Sequence, residues 1–375
     1  MALLAVIADS HFDETSRFDE CVRLHDWIAD DLAERGVDLV LHCGDVLERR
    51  STVRERAAIA AWLRKVGKCA PIVIVRGNHD PVGDLAIFAK LRTQNPIVVE
   101  EAAAVHAMKG VAVACLAWPR KAELLARHPG LDPADAMRAV LGGLGAEAVD
   151  SNGAALPVVL LAHAMVRGSV TSTGQPLVGA DLEIGLEDFA LVKADAYALG
   201  HIHKGQAWDI AGAPCFYPGS PRRTAFGEVE SKGYTLLTVG ARGEPVHVEH
   251  VEVPATRMVH VEATWTAFGF TGGDRCAAEQ EGAEVRLRYR VDADRRDAAR
   301  ADAEAWAAEL RQLGAASVKI EEVVIATTRT RTPAIAAART LPEKLTAHWE
   351  AKGVALADER RARVLEKVVG LEKAS

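Results

Sequence analysis

The sequence predicts an α/β fold, on two observations. Short apolar runs alternate with stretches of helical periodicity through the first 250 residues, and several of these runs stop abruptly on Asp, Gly or His. "LLAVIAD" (3–9) is a buried strand that ends on an acid. Residues 18–35 carry apolar positions at helical spacing, among them Val22, Ile28 and Leu32, and Gly36 stops that helix. "VDLVLHCGD" (37–45) is a second strand, 52–66 a second helix and "PIVIVRGNHD" (71–80) a third strand. Further strands are expected at 111–117, 157–163, 195–200 and 233–239, and the Ala-, Gly- and Pro-rich segment 127–157 is read as surface cover. Past Pro254 the pattern changes. "MVHVEATW" (258–265) and "EVRLRYRV" (284–291) alternate strictly, as half-buried strands do; 295–313 is helical, and "SVKIEEVVIA" (317–326) is another strand. This β-β-α-β block predicts a small second domain. Three segments follow: 1–252, 253–332 and a helical tail over 333–375 that is interrupted near Gly353, with Thr327–Pro333 as linker. No internal repeat is visible.

Composition narrows the class. The chain has 375 residues, 49% of them apolar, so it can bury a sizeable core and accommodate two domains. Its longest N-terminal apolar run, Ala2–Ala8, is too short to span a bilayer and lacks the flanks of a signal peptide, which predicts a cytoplasmic protein. Cys21, Cys43, Cys69, Cys115, Cys215 and Cys276 show no CxxC spacing and are expected to be reduced and mostly buried. A net charge of −7 argues against a protein that coats nucleic acid generally, while leaving room for a local basic patch or a bound metal.

The polar residues at strand ends form a pattern. The first strand delivers Asp9 and His11, the second Gly44-Asp45, the third Gly77-Asn78-His79-Asp80, a later one His163, and the next Gly200-His201-Ile202-His203. In an open α/β sheet the carboxyl ends of the strands line the ligand crevice. Asp and His together suit borderline divalent ions such as Mn²⁺, Fe²⁺ or Zn²⁺. An i, i+2 pair in extended chain projects to one side, so Asp9 with His11, and His201 with His203, can each reach toward one site. A single carboxylate such as Asp45 can bridge two ions, and glycine beside a ligand, such as Gly200, lets the chain bend at the metals.

In this order, D-x-H, G-D, G-N-H-D, H and G-H-x-H resemble the calcineurin-like metallophosphoesterase superfamily. "YALGHIHKGQ" followed by "YPGSPRRTAFGEVESKGYTLLTV" (217–239), in which G-S-P leads to F-x-E and K-G, resembles its SbcD-type DNA-repair nuclease subunits. The resemblance covers about residues 1–250 closely and the second domain loosely. It implies a four-layer αββα sandwich with a smaller capping domain and helical tail. It implies two metal ions, usually manganese with iron, zinc or magnesium as alternatives. Asp9, His11 and His203 would bind the first, Asn78, His163 and His201 the second, and Asp45 both. His79 would protonate the leaving oxygen, with Asp80 orienting it. DNA, a homodimer and an SbcC-like coiled-coil ATPase docked on the tail are the implied partners.

Other residues stand beside this set. Glu48 occupies the position where archaeal and eukaryotic relatives carry histidine, which leaves exonuclease action open; it could support the ligands from behind or repel phosphate weakly, and a solvated helix-entry residue is the favoured reading. Lys204, Arg222 and Arg223 follow the metal motifs closely and are candidate contacts to a polyanion. Arg286, Arg288 and Arg290 share one face of a strand and are candidate phosphate contacts, with Arg329 and Arg331 beyond. Leu341, Leu345 and Trp349, and then Val364, Leu365, Val368 and Val369, form apolar stripes in the tail that suit a partner or the chain's own domain. The expected activity is a manganese-dependent DNA exonuclease or endonuclease of an SbcCD-like double-strand-break repair complex. The alternatives are a phosphatase or cyclic-nucleotide phosphodiesterase of the same fold, or a metal-free scaffold; the full ligand set opposes the last.

Overall fold

The computed structural model describes residues 1–150, 155–172, 182–273, 281–325 and 333–372. The chain divides into two compact units: 1–261 with 274–287 and 306–320, and 262–273 with 288–305 and 321–375.

In chain order the first unit holds β1 (Ala2–Ile7), α1 (Phe18–Arg35), β2 (Leu39–His42), α2 (Val53–Val66), β3 (Ile72–Val75), β4 (Ile97–Glu100), β5 (Ala104–Met108) and β6 (Val111–Leu116). It continues with α3 (Lys121–Arg127), α4 (Pro133–Asp150), β7 (Val158–His163), β8 (Met165–Val166), β9 (Glu183–Ile184), α5 (Leu186–Phe189), β10 (Ala196–Gly200), β11 (Gln206–Ile210), β12 (Ala213–Tyr217), β13 (Gly233–Val239) and β14 (His247–Glu252). One sheet runs β14-β13-β1-β2-β3-β4, the other β11-β12-β10-β7-β6-β5. Strands β1 to β4 are parallel, as are β6, β7, β10 and β12, while β13, β14, β5 and β11 pair antiparallel.

The two-residue strand period sorts side chains into layers. Leu4, Val6, Leu39, Leu41 and Val73 pack with Val113, Val159, Leu161 and Ala198 between the sheets. On the other face, Ala5, Ile7, Val40 and Ile72 pack against Leu24, Ile28, Ile59 and Leu63 of α1 and α2. The second sheet turns Ala112, Ala114, Val158 and Leu160 toward Met137, Leu141 and Leu144 of α4. These three cores make a helix–sheet–sheet–helix sandwich, the four layers expected.

Two expectations need correction. The segment 127–157 contains α4, whose Met137, Leu141, Leu144 and Ala148 form a buried stripe; its Ala and Gly content hides the helical period. Strands β4, β5, β11, β12 and β14 are additions to the expected set; β4, β5, β11 and β12 are only four or five residues long, and "HVEHVE" of β14 is largely exposed.

Past residue 257 come β15 (Met258–Thr266), β16 (Gly269–Thr271), β17 (Glu284–Asp292), α6 (Arg296–Gln312) and β18 (Ser317–Ile325), in a sheet ordered β16-β15-β17-β18. The expected β-β-α-β block therefore gains the short β16, paired to β15 at Thr264↔Thr271 and Trp265↔Phe270. The tail holds α7 (Pro333–Ala337), α8 (Leu341–Lys352) and α9 (Asp358–Glu372). Thr340 caps α8 with Glu343, and Gly353 ends it in the left-handed conformation at φ 62°, the interruption expected there. Arg329, Arg331, Cys276 and the linker up to Thr332 lie outside the described residues. Cys21, Cys43, Cys115 and Cys215 are buried free thiols and Cys69 is half-buried. No described helix is long and apolar enough to cross a membrane.

Gly200 joins the two sheets rather than bending the chain. A Cβ there would lie 2.3 Å from the Cys43 carbonyl oxygen, whereas the unusual backbone belongs to His201, at φ 118°. Gly200→Ala is expected to destabilise the protein by about 1–3 kcal/mol or more through overpacking. Thermal unfolding would register this as a fall of several degrees; an unchanged midpoint would mean the sheets do not depend on this approach.

Candidate metal centre

Parallel pairing sets the carboxyl ends of β1, β2 and β3 side by side, and does the same for β7 and β10. The β1–β2 ladder continues into the loops beyond. Asp9 N–H donates to the Gly44 carbonyl at 3.1 Å, His11 N–H to Asp45 at 3.0 Å and Phe12 N–H to Val46 at 2.9 Å. The second sheet is tied in by His163, whose Nδ1–H donates to the Cys43 carbonyl at 2.7 Å, and by His201 N–H, which donates to Asp9 Oδ1 at 3.0 Å. Asp9, His11 and Asp45 take φ of 53°, 45° and 54°, left-handed values that cost energy for any residue with a Cβ.

The loops bring six of the seven candidate ligands together in two groups, with Asn78 beside the second. Asp9, His11 and His203 form one, and Asp45, His163 and His201 the other, each with ligand atoms within 4.8 Å of one another. Asp45 faces both: its Oδ2 lies 3.8 Å from His11 Nε2 and 3.3 Å from His163 Nε2. Asn78 Oδ1 lies 2.8 Å from His163 Nε2 and 3.0 Å from His201 Nδ1, and His203 Nε2 is 3.0 Å from His11 Nε2.

The donor set fits a divalent cation. His163 spends its Nδ1 proton on Cys43, so its Nε2 faces Asn78 Oδ1 and Asp45 Oδ2, which are themselves acceptors. A proton or a cation must lie between such atoms. Burial works against charge on His163, yet Asp45 and Asp9 beside it lift its pKa to about 9. Burial and the neighbouring His163 push His201 down to about 3, which leaves a neutral ring able to bind metal. Burial would raise Asp45, but His163, His11 and His79 around it hold it well below the usual carboxylate range. Mixed imidazole and carboxylate donors suit borderline ions such as manganese, iron or zinc.

His79 stands at the rim with its side chain 39% exposed, and its backbone N–H donates to Asp45 Oδ1 at 2.8 Å. The contacts of Asp80 differ from the expected orienting role. Its buried carboxylate accepts from the Leu47, Gly77 and Val46 amides at 2.8, 2.9 and 3.4 Å, tying the β2 loop to the β3 loop. The polar neighbour of the His79 ring is Glu48 instead, whose carbonyl oxygen lies 3.0 Å and Oε1 3.4 Å from His79 Nδ1. Glu48 Oε2 also lies 2.7 Å from His11 Nδ1. The reading of Glu48 as a solvated helix-entry residue is therefore corrected: it touches a candidate ligand and the candidate acid.

Arg222 and Arg223 also need correction. Arg222 is 1% exposed and donates to the His11 carbonyl at 2.6 Å and the Ser16 carbonyl at 3.3 Å. Arg223 is buried and donates to the carbonyls of Glu228, Glu230 and Thr256. Both guanidiniums are buried and spent on backbone carbonyls. Lys204 is half-buried beside His203. On β17 the expected alternation appears, with Val285, Leu287, Tyr289 and Val291 buried. Arg286 lies over the Phe226 ring at 4.9 Å, while Arg288 and Arg290 are exposed, Arg288 being 3.7 Å from Glu262.

Sequence reasoning missed three supporting residues. Trp118 lies just beyond β6, its ring centroid 4.8 Å from that of His201. Its place past a strand end, like the ligands, was the available signal. Glu228 and Lys232 belong to the F-x-E and K-G patterns. Glu228 Oε1 lies 3.6 Å from His203 Nδ1 and accepts from Thr224 Oγ1 at 2.5 Å. Lys232, 2% exposed, pairs with Glu228 and donates to the His203 carbonyl at 3.1 Å. Such carboxylate–histidine contacts orient a ligand ring and fix its tautomer.

The model of the calcineurin-like phosphoesterase superfamily domain matches residues 2–242. Three solved structures are similar to the chain. GAP50, described as the anchor in the inner membrane complex of Plasmodium, has 11% identity and a TM-score of 0.42 and covers 67% of this chain and 89% of its own. TT1561 of Thermus thermophilus has 15% identity and a TM-score of 0.42, covering 66% and 98%. A dimetal phosphatase from Danio rerio has 12% identity and a TM-score of 0.43, covering 67% and 97%.

Arg222→Met is expected to cost about 3 kcal/mol by leaving two buried carbonyls unpaired. The salt dependence of any DNA binding should stay as it is; a shallower salt slope in a stable variant would return Arg222 to the substrate surface. Asp80→Asn should lower stability by about 1–3 kcal/mol, because an amide offers one acceptor oxygen where the Asp80 carboxyl uses both. Chemical denaturation would read this loss directly, and an undiminished midpoint would remove Asp80 from the loop scaffold.

Proposed function

Because the chain belongs to the calcineurin-like phosphoesterase superfamily, whose members use two divalent metals, we propose that it is a manganese-dependent phosphodiesterase acting on DNA. In this reading it is the nuclease half of an SbcCD-like repair complex, as a homodimer with a coiled-coil ATPase docked on α8 and α9. The observation that carries the catalytic part is the convergence of Asp9, His11 and His203 with Asp45, Asn78, His163 and His201 around facing lone pairs. Two bound ions would acidify a water and clamp the oxygens of an in-line displacement.

The chain's own residues do the rest. Asp45 lies between the two ligand groups and sets their spacing. Glu48 faces His79 Nδ1, leaving Nε2 of that ring to deliver a proton to the leaving oxygen. Glu228 and Lys232 hold His203 in place. The DNA substrate is supported by the likeness of segment 217–239 to SbcD-type subunits and by the exposed Arg288 and Arg290. A small-substrate phosphatase is the second reading. What favours it is that Arg222 and Arg223 are committed to backbone carbonyls, which thins the basic surface near the metals.

Linear duplex DNA and p-nitrophenyl phosphoesters assayed in parallel with manganese separate the two readings. Mn²⁺-dependent cleavage of the duplex, abolished by chelation, is the expected result. Ester turnover with intact DNA would replace the nuclease by a phosphatase. His79→Ala should retain metal by elemental analysis and lose roughly 10²–10⁴ in rate; loss of metal along with activity would make His79 a ligand.

A further inference from the structure

Behind the candidate ligands lies a buried polar chain that the proposed chemistry does not use. His42, the last residue of β2, and His25, on α1, flank Ser10, which stands between Asp9 and His11. His42 Nε2 is 2.8 Å from Ser10 Oγ, and His25 Nε2 is 2.7 Å from it on the other side. The outer nitrogens are also engaged: Gly44 N–H donates to His42 Nδ1 at 3.2 Å, and His25 Nδ1 meets the Cys21 carbonyl at 2.7 Å. Ser10 and His42 are fully buried and His25 is 1% exposed. Phe12 and Trp62 close over the rings, with centroids 4.5 Å and 5.0 Å from that of His25.

The two ends dictate every proton. An amide can only donate, so His42 Nδ1 accepts and its Nε2–H donates to Ser10 Oγ. A carbonyl can only accept, so His25 Nδ1 carries hydrogen and its Nε2 accepts from the Ser10 hydroxyl. The order Gly44 N–H to His42, His42 to Ser10, Ser10 to His25, His25 to Cys21 satisfies each donor and acceptor once, with both rings neutral. Burial pushes His25 to about 4 and His42 to about 3, in keeping with that state.

We propose that Ser10, His25 and His42 are positioning residues that lock the Asp9–His11 and Gly44–Asp45 loops in their left-handed backbone geometry and so set the metal affinity. The inference rests on the two-metal reading. The reason is mechanical. Asp9, His11 and Asp45 sit at φ of 53°, 45° and 54°, each disfavoured by about 1–2 kcal/mol. Backbone bonds hold one loop to the other, and His11 to Glu48 and Arg49 to Asp13 add side-chain contacts near the surface. The hydroxyl of Ser10 adds a bond from the first loop to β2, and through His42 to Gly44 in the second. His25 anchors the assembly to α1, whose Leu24 and Ile28 are fixed in the core. Relaxation of either loop to ordinary backbone angles would carry its carboxylate away from the site.

The test is manganese titration of the metal-stripped full chain by calorimetry, with thermal unfolding of each metal-free variant alongside. Wild type should bind two ions. His25→Leu removes the acceptor for the Ser10 hydroxyl and should weaken binding roughly ten- to hundredfold, the usual range for a lost outer partner of a ligand. His25→Gln keeps an acceptor oxygen near the same place and should stay within about threefold of wild type. Should His25→Leu fail to fold, Ser10→Ala severs the chain at its centre and takes its place, with the same expected loss. Wild-type affinity in a folded His25→Leu or Ser10→Ala protein, with only the unfolding midpoint lowered, would overturn the positioning role and leave the two-metal reading intact. Equal weakening by Leu and Gln would overturn the hydrogen-bond chain as its cause. Failure of wild type to bind two ions would overturn the two-metal reading itself and the inference with it.

Discussion

The ladder between β1 and β2 does not stop where the strands stop. Asp9, His11 and Phe12 continue to donate to Gly44, Asp45 and Val46 after both chains have left extended geometry. Two strand-end loops are thereby bound as one object, with Asp9 and Asp45 buried side by side. Burial of two carboxylates is costly without compensating charge. His163, His11 and His203 gather around them, and the arrangement becomes a site in which lone pairs converge and a cation fits. The second sheet reaches it through His163 to Cys43, His201 to Asp9 and Arg222 to His11.

The cations of the G-S-P-R-R segment serve that object from behind. Arg222 holds the carbonyl of His11, Arg223 holds three carbonyls nearby, and Lys232 holds the carbonyl of His203 while pairing with Glu228. Guanidinium suits this work, since its planar fork binds several carbonyls at once and stays charged when buried. A cluster of basic residues beside metal motifs thus reads as a nucleic-acid surface in sequence and as internal scaffolding in space. Arg288 and Arg290 on β17, by contrast, are exposed.

The rim divides its labour in a way that also differs from expectation. Asp80 fixes three amides, and Glu48 meets both His11 and His79. A carboxylate touching a candidate ligand and the candidate acid couples the orientation of the two rings.

Much of this protein was legible in one dimension. Strand period and helix stops placed β1, β2, β3, β7 and β10, and the order of Asp, His and Asn at strand ends singled out the seven candidate ligands, because each signal is local; the four-layer sandwich came from the family resemblance that this order carries. Helix α4 and edge strands such as β14 escaped, since small residues and exposed faces leave no apolar period to read. Tertiary structure alone decided the work of Arg222, Arg223, Glu48, Asp80 and Trp118, and the burial of His25 and His42 beside Ser10. A charged or polar side chain acts through the atoms it faces, and those atoms come from segments far apart in the chain: 211 residues separate Arg222 from His11, and 192 separate His203 from His11. Local pattern carries no record of such pairings; the folded layers create them.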